Sequence, residues 1–167
     1  GVMLLHTVPY IVDSGFTLSD AGWVVFTVSV PAMLSKPVWG YFIDRSPAKP
    51  LAAISAAVTG LALFLIVLAV SYHEFVWVLL AFVVLGFGWG GMIPLQEVIW
   101  ASFFGRRFLG SIRGAAMPFS LLLGAPAPAL VGYYHDMFGR YDEALLIVAS
   151  LNVLSGVLIF LAPAPRR

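Results

Sequence analysis

Apolar residues run along this chain in blocks, at about 1–12, 20–43, 50–71, 74–100, 109–132 and 143–162. Between them stand short polar connectors rich in helix breakers: DSGFTLSD, DRSPAK, SYHE, FFGRRF and HDMFGRYDE. No polar stripe at helical spacing and no alternation of strand type divides the blocks, as either would in a domain that turns one face to water. At ~1.5 Å per residue, about 20 residues cross a hydrocarbon core of about 30 Å. The last five blocks reach that length, and the first reads as the end of a truncated helix. The pattern therefore predicts an all-α membrane protein, a six-helix bundle whose first helix is short. Ser19 or Asp20 is expected to cap the second helix by accepting from its free backbone N–H groups.

Composition agrees with that reading. Hydrophobic residues make up 61% of the 167 and charged residues only 10%, the balance of a bilayer protein. Cysteine is absent, which excludes disulfides, thiolate metal sites and thiol nucleophiles. His6, His73 and His135 are scattered without ligand spacing, so no metal site is expected. No Ser/His/Asp arrangement or carboxylate pair makes a case for an enzyme, and neither a cofactor nor a nucleic-acid partner is expected. With no linker or low-complexity stretch, residues 1–167 read as one unit, and the first residue, Gly1, suggests a fragment of something longer.

The net charge is only +1, but its distribution is lopsided. If alternate connectors lie on opposite sides of a bilayer, one side collects Lys36, Arg45, Lys49, Arg106, Arg107, Arg113, Arg166 and Arg167. The other holds Arg140 with Asp13, Asp20, Glu74, Asp136, Asp142 and Glu143. The positive-inside rule then places residues 44–49, 103–108 and the C-terminus in the cytoplasm of a cell or bacterial inner membrane.

Polar side chains at membrane depth need a partner, water or a ligand. Lys36 stands eight residues before Asp44, ~12 Å along a helix from the loop, and Pro37 beside it frees a backbone carbonyl and bends the helix. It either snorkels to the interface or faces a cavity, where it would bind an anionic group. Glu97, nine residues before Arg106, lies at matching depth. It is a hydrated interfacial carboxylate, a partner for Lys36, or a protonatable group coupled to transport. Arg113 is close enough to its loop to snorkel. His6 either hydrogen-bonds a neighbouring helix or relays a proton. GFGWGGMIP (86–94) and GAPAPALVG (124–132) predict tight helix packing and bends, and Gly110 with Gly114 and Ser120 with Gly124 are further candidates for close approach. Trp39 and Trp89 lie deep enough to line a cavity or pack in a core.

Within GYFIDRSPAK, the spacing Gly40-x-x-x-Asp44-Arg45-x-x-x-Lys49 resembles the cytoplasmic loop motif of the major facilitator superfamily, with Ser46-Pro47-Ala48 where the family usually carries Gly-Arg. HTVPYIVDSG, SFFGRRFLGSIRG and GYYHDMFGRYDEALL are similar to the end of the seventh helix and the tenth-to-eleventh and eleventh-to-twelfth loops of its monocarboxylate and oxalate/formate branch. The resemblance implies a C-terminal half, helices seven to twelve, whose N-terminal half completes the transporter. It implies secondary transport of a small organic anion, as symport or antiport, with a proton as possible partner. Lys36 takes the place of the branch's substrate-binding arginine. Ala32 stands where proton-coupled members carry an aspartate, so Glu97 becomes the candidate proton carrier. Arg113 and His6 would join the substrate site, and Gly40, Asp44, Arg45 and Lys49 the conformational switch loop. Alternatives are an exporter of neutral or cationic compounds and a non-transporting assembly or sensor bundle.

Overall fold

The computed structural model describes residues 2–105 and 107–163, apart from the Leu123 side chain. Arg106, Arg166 and Arg167, three of the basic residues assigned to one side, lie outside them.

Seven helical segments follow one another: α1 (Val2–Asp13), α2 (Leu18–Ile43), α3 (Ala48–Ser71), α4 (Phe75–Phe104), α5 (Leu109–Gly124), α6 (Pro126–Phe138) and α7 (Asp142–Leu161). α5 and α6 form one apolar stretch interrupted at Ala125, so the described chain makes six rods, five of them long and apolar enough to span a bilayer. The all-α expectation and the short first helix hold. The interruption follows from Pro126 and Pro128, which lack the N–H groups that would bond the turn before, and Pro126 is suited to start a new helix.

The helix ends explain where the apolar pattern misplaced boundaries. Thr17, rather than Ser19 or Asp20, is the N-cap of α2. The Asp20 N–H donates to its hydroxyl at 3.1 Å, and the Thr17 N–H donates to the Asp20 carboxylate at 2.9 Å, a reciprocal capping box. HDMFGRYDE, expected as a loop, is helical through Phe138. Gly139 then takes φ 69°, in the left-handed region that ends helices readily.

α3 packs against both α4 and α7, and α2 against α4; α1 touches α2 and α6. Small residues make these contacts close. A Cβ on Gly60 would lie 2.8 Å from the Ala149 carbonyl oxygen of α7, and one on Gly156 2.8 Å from the Ala53 carbonyl oxygen of α3. The 86–91 glycines do the same for α4: Gly86 and Gly90 meet α2 backbone, and Gly91 lies flat against the Trp39 ring. The GFGWGG string is thus a packing seam. Gly110, Gly114 and Gly124 have nothing within 4 Å of an added Cβ, so close approach occurs elsewhere than at those positions.

Connectors gather at two ends. At one, the Phe16 ring lies 6.1 Å from that of His73 and His135 meets Asp13, joining the 14–17, 72–74 and 139–141 turns. At the other, the Lys49 ammonium donates to the Ala162 carbonyl oxygen, which joins the start of α3 to the end of α7. The second end carries Arg45, Lys49 and Arg107 and is called the basic end below; the first carries most of the carboxylates.

Candidate functional site

Helical phase decides how the polar residues of α2 are displayed. Ser35 is buried, with a Cβ on Gly90 unable to fit beside it, and Trp39, 4% exposed, donates from Nε1 to the Phe87 carbonyl oxygen at 2.8 Å. Those two residues, one turn apart, face α4. Trp39 is therefore a core residue. Lys36 is turned ~100° from Ser35 about the helix axis and is exposed. It continues the stripe Val25, Ser29, Ala32, which together with Val28 forms the α2 wall of a cleft of about 210 Å³. Met3 and Thr7 of α1 and Leu85 and Trp89 of α4 form the other walls. Lys36 lies one turn beyond Ala32 toward the basic end, and makes no ion pair among the described residues.

Glu97 has a different partner from the one its depth suggested. Its Oε2 accepts from Arg113 Nη1 at 2.8 Å, with the side chains 38% and 45% exposed respectively. The pair ties α4 to α5, a segment with no buried residue among those described. It brings two sequence-selected residues together and leaves Lys36 outside the pair.

His6 is half-buried, and its Nε2 lies 2.9 Å from the Pro128 carbonyl oxygen. A carbonyl only accepts, so Nε2 carries the proton in this contact. The ring also approaches Gly132, where a Cβ would lie 3.4 Å from Cε1, and Tyr141, at 5.5 Å between ring centroids. His6 thus makes the interhelix hydrogen bond that was one of its two readings, joining α1 to α6 well away from Lys36 in chain position.

In the loop after α2, Asp44 closes the helix, its N–H donating to the Gly40 carbonyl oxygen at 3.1 Å, and its side chain is exposed. Arg45 folds back over the Tyr41 ring at 3.8 Å and donates to the Tyr41 carbonyl oxygen at 3.2 Å, a cation held at the negative end of the helix dipole. Gly40 has open space around it. Lys49 is directed to α7 instead of to Asp44.

A polar cluster at the other end was not anticipated. His135 Nε2 is 3.0 Å from Asp13 Oδ2, its ring stacks on Tyr141 at 4.1 Å, and Tyr10 donates to Asp142 Oδ1 at 3.0 Å. Burial, reinforced by Asp13 and Asp136, pushes the Tyr141 phenol above its usual pKa. The signal was the coincidence of Tyr10, Asp13, His135 and Asp142 at neighbouring helix ends, which breaker chemistry had disguised as loop. Among the described residues no three His, Asp or Glu side chains converge as a metal site.

Spanning helices, prolines inside α1, α2, α4 and α5, and charged side chains within the bundle are the features of a polytopic membrane protein. Residues 2–167 match the family model described as Major Facilitator Superfamily, and the chain belongs to that family. No curated protein matches the sequence. The chain is accordingly an integral membrane protein of a transporter family whose members carry solutes and are not enzymes.

Proposed function

We propose that the protein carries a small organic anion, of monocarboxylate type, by alternating access, as the C-terminal half of a transporter whose basic end faces the cytoplasm. The observation that supports this reading is the unpaired Lys36. All eight carboxylate side chains of the chain are among the described residues, yet none pairs with Lys36, while the carboxylate at matching depth is taken by Arg113. A lysine at that depth, in register with the wall of a cleft, has its charge answered by substrate. Arg113 adds positive potential toward the basic end, and protonation of Glu97 would release Arg113 to meet an anion. His6 fixes the α1 wall through Pro128. Gly40, Asp44, Arg45 and Lys49 form the loop that changes contacts between the two access states.

The test is flux of labelled small carboxylates into proteoliposomes containing the whole transporter. Lys36→Ala is expected to lower flux by more than about tenfold, the loss of a charge-assisted contact, with insertion unchanged. Lys36→Arg should keep part of it, since the charge remains while the geometry changes. Undiminished flux in Lys36→Ala, or competition by basic rather than acidic compounds, overturns the assignment.

A further inference from the structure

Asn152 is the one strongly polar side chain in the middle of α7, a helix whose exposed large apolar residues are Ile147, Leu151, Leu154, Val157, Leu158, Phe160 and Leu161. Packing within α7 uses only part of it. One Nδ2–H goes to the Val148 carbonyl oxygen at 2.8 Å, leaving a second N–H and both lone pairs of the amide oxygen. The side chain opens into a cavity of about 420 Å³ between α4 and α7, floored by α3. Ser155 of α7 and Gln96 of α4 also line it, Trp100 and Phe103 stand toward the basic end, and Lys49 sits at its rim.

Three features specify an occupant. Among the described residues Lys49 is the only charged side chain in the lining, so the groove they form carries positive and no negative charge. Its ammonium spends one donor on Ala162 and keeps two. From Ala162 at the rim to Asn152 is ten residues of helix, ~15 Å, the depth of one leaflet of a ~30 Å core. Next in sequence to the lining residues Ser155, Ile159 and Met92 stand the exposed Leu154, Leu158 and Ile93, side chains suited to acyl chains. A soluble anion would use the rim and leave the apolar length empty, whereas an amphiphile uses both.

We propose that this groove is a binding site for an anionic phospholipid of the leaflet at the basic end. The phosphate rests on Lys49 with the ester region just below it, and one acyl chain lies along α3 past Ser155 and Gln96. The site is separate from Lys36, and although Lys49 also belongs to the loop assigned to the switch, its test reads lipid retention rather than transport.

Native mass spectrometry of the purified, delipidated protein tests it, with phosphatidylglycerol, phosphatidylcholine and inorganic phosphate as separate additions. Phosphatidylglycerol should be retained at least about fivefold over phosphatidylcholine, and millimolar inorganic phosphate should not displace it. Lys49→Gln should erase the headgroup preference and Lys49→Arg restore it. Because Lys49 also holds the end of α7, Ser155→Trp serves as a second variant. It fills the groove from the lipid side, leaves that contact intact, and should lose both lipids. Equal retention of the two lipids by the unaltered protein overturns the proposal. So does displacement by phosphate alone, which marks a free-anion site, or full retention by Ser155→Trp. Disulfide-linked dimers formed by Ser155→Cys would show the groove covered by a second copy and would also overturn it.

Discussion

Ser35 and Lys36 are neighbours in sequence and differ in surroundings because a helix turns ~100° per residue. Counting residues from the loops gave the depth of Lys36 and Glu97, and depth alone suggested that they pair. Azimuth was not legible: which way a side chain points depends on which faces of α2 and α4 are buried, and an apolar block with no polar stripe does not encode that. The structure joins Glu97 to Arg113 instead. This contact has a consequence for α5, which has no buried residue among those described. Arg113→Ala should raise hydrogen exchange across 109–124 at least severalfold while α3 and α7 remain protected. The exchanged pair, Glu97→Arg with Arg113→Glu, should recover most of that protection. Equal exchange in Arg113→Ala and the unaltered protein would show that the pair does not hold α5.

At the scale of elements, hydropathy located the rods well, since burial in lipid and burial in protein select the same residues. It failed at their ends and at their contacts. Thr17 caps α2 through a hydroxyl that hydropathy does not weigh, and the last turn of α6 is polar because His135 meets Asp13. Glycines were legible as a class but not one by one, because the same residue permits close approach at Gly60 and meets only open space at Gly114. The α3–α7 seam gives the clearest test. A side chain on Gly60 meets the Val153 N at 2.9 Å as well as the Ala149 carbonyl, and backbone yields less readily than side chain. Gly60→Ala should therefore cost about 1–3 kcal/mol and Gly60→Val more, as overpacking does, read as a falling thermal midpoint in detergent. An unchanged midpoint for Gly60→Val would mean that the two helices do not approach as closely as described.

The whole molecule has unequal ends. At the basic end, the described residues tie elements together through Lys49 to Ala162, the partly exposed Glu97–Arg113 pair and, in the same half of the bundle, Trp39 to the Phe87 carbonyl oxygen. At the opposite end, Tyr10 with Asp142, Asp13 with His135, and the rings of His6, Tyr10 and His135 against Tyr141 bind α1 to α6 and α7. Without these, α1 would rest on α2 and on the few contacts it makes with α6. A bundle that alternates its access must break ties at one end while it makes them at the other, so each of these ties adds to the cost of loosening this end. Tyr10→Phe isolates that cost, since it removes one hydrogen bond to a carboxylate, 3.0 Å long, and leaves the ring packed. The expected loss is about 1.5–3 kcal/mol for a bond to a charged group, and it should fall on the arrangement described here in particular. Paired spin labels at exposed positions, Val12 on α1 and Met137 on α6, would report it. Their distance distribution should broaden toward longer separations in Tyr10→Phe by a population change of about tenfold or more. A distribution identical to that of the unaltered protein would show that the hydrogen bond contributes nothing to holding this end closed.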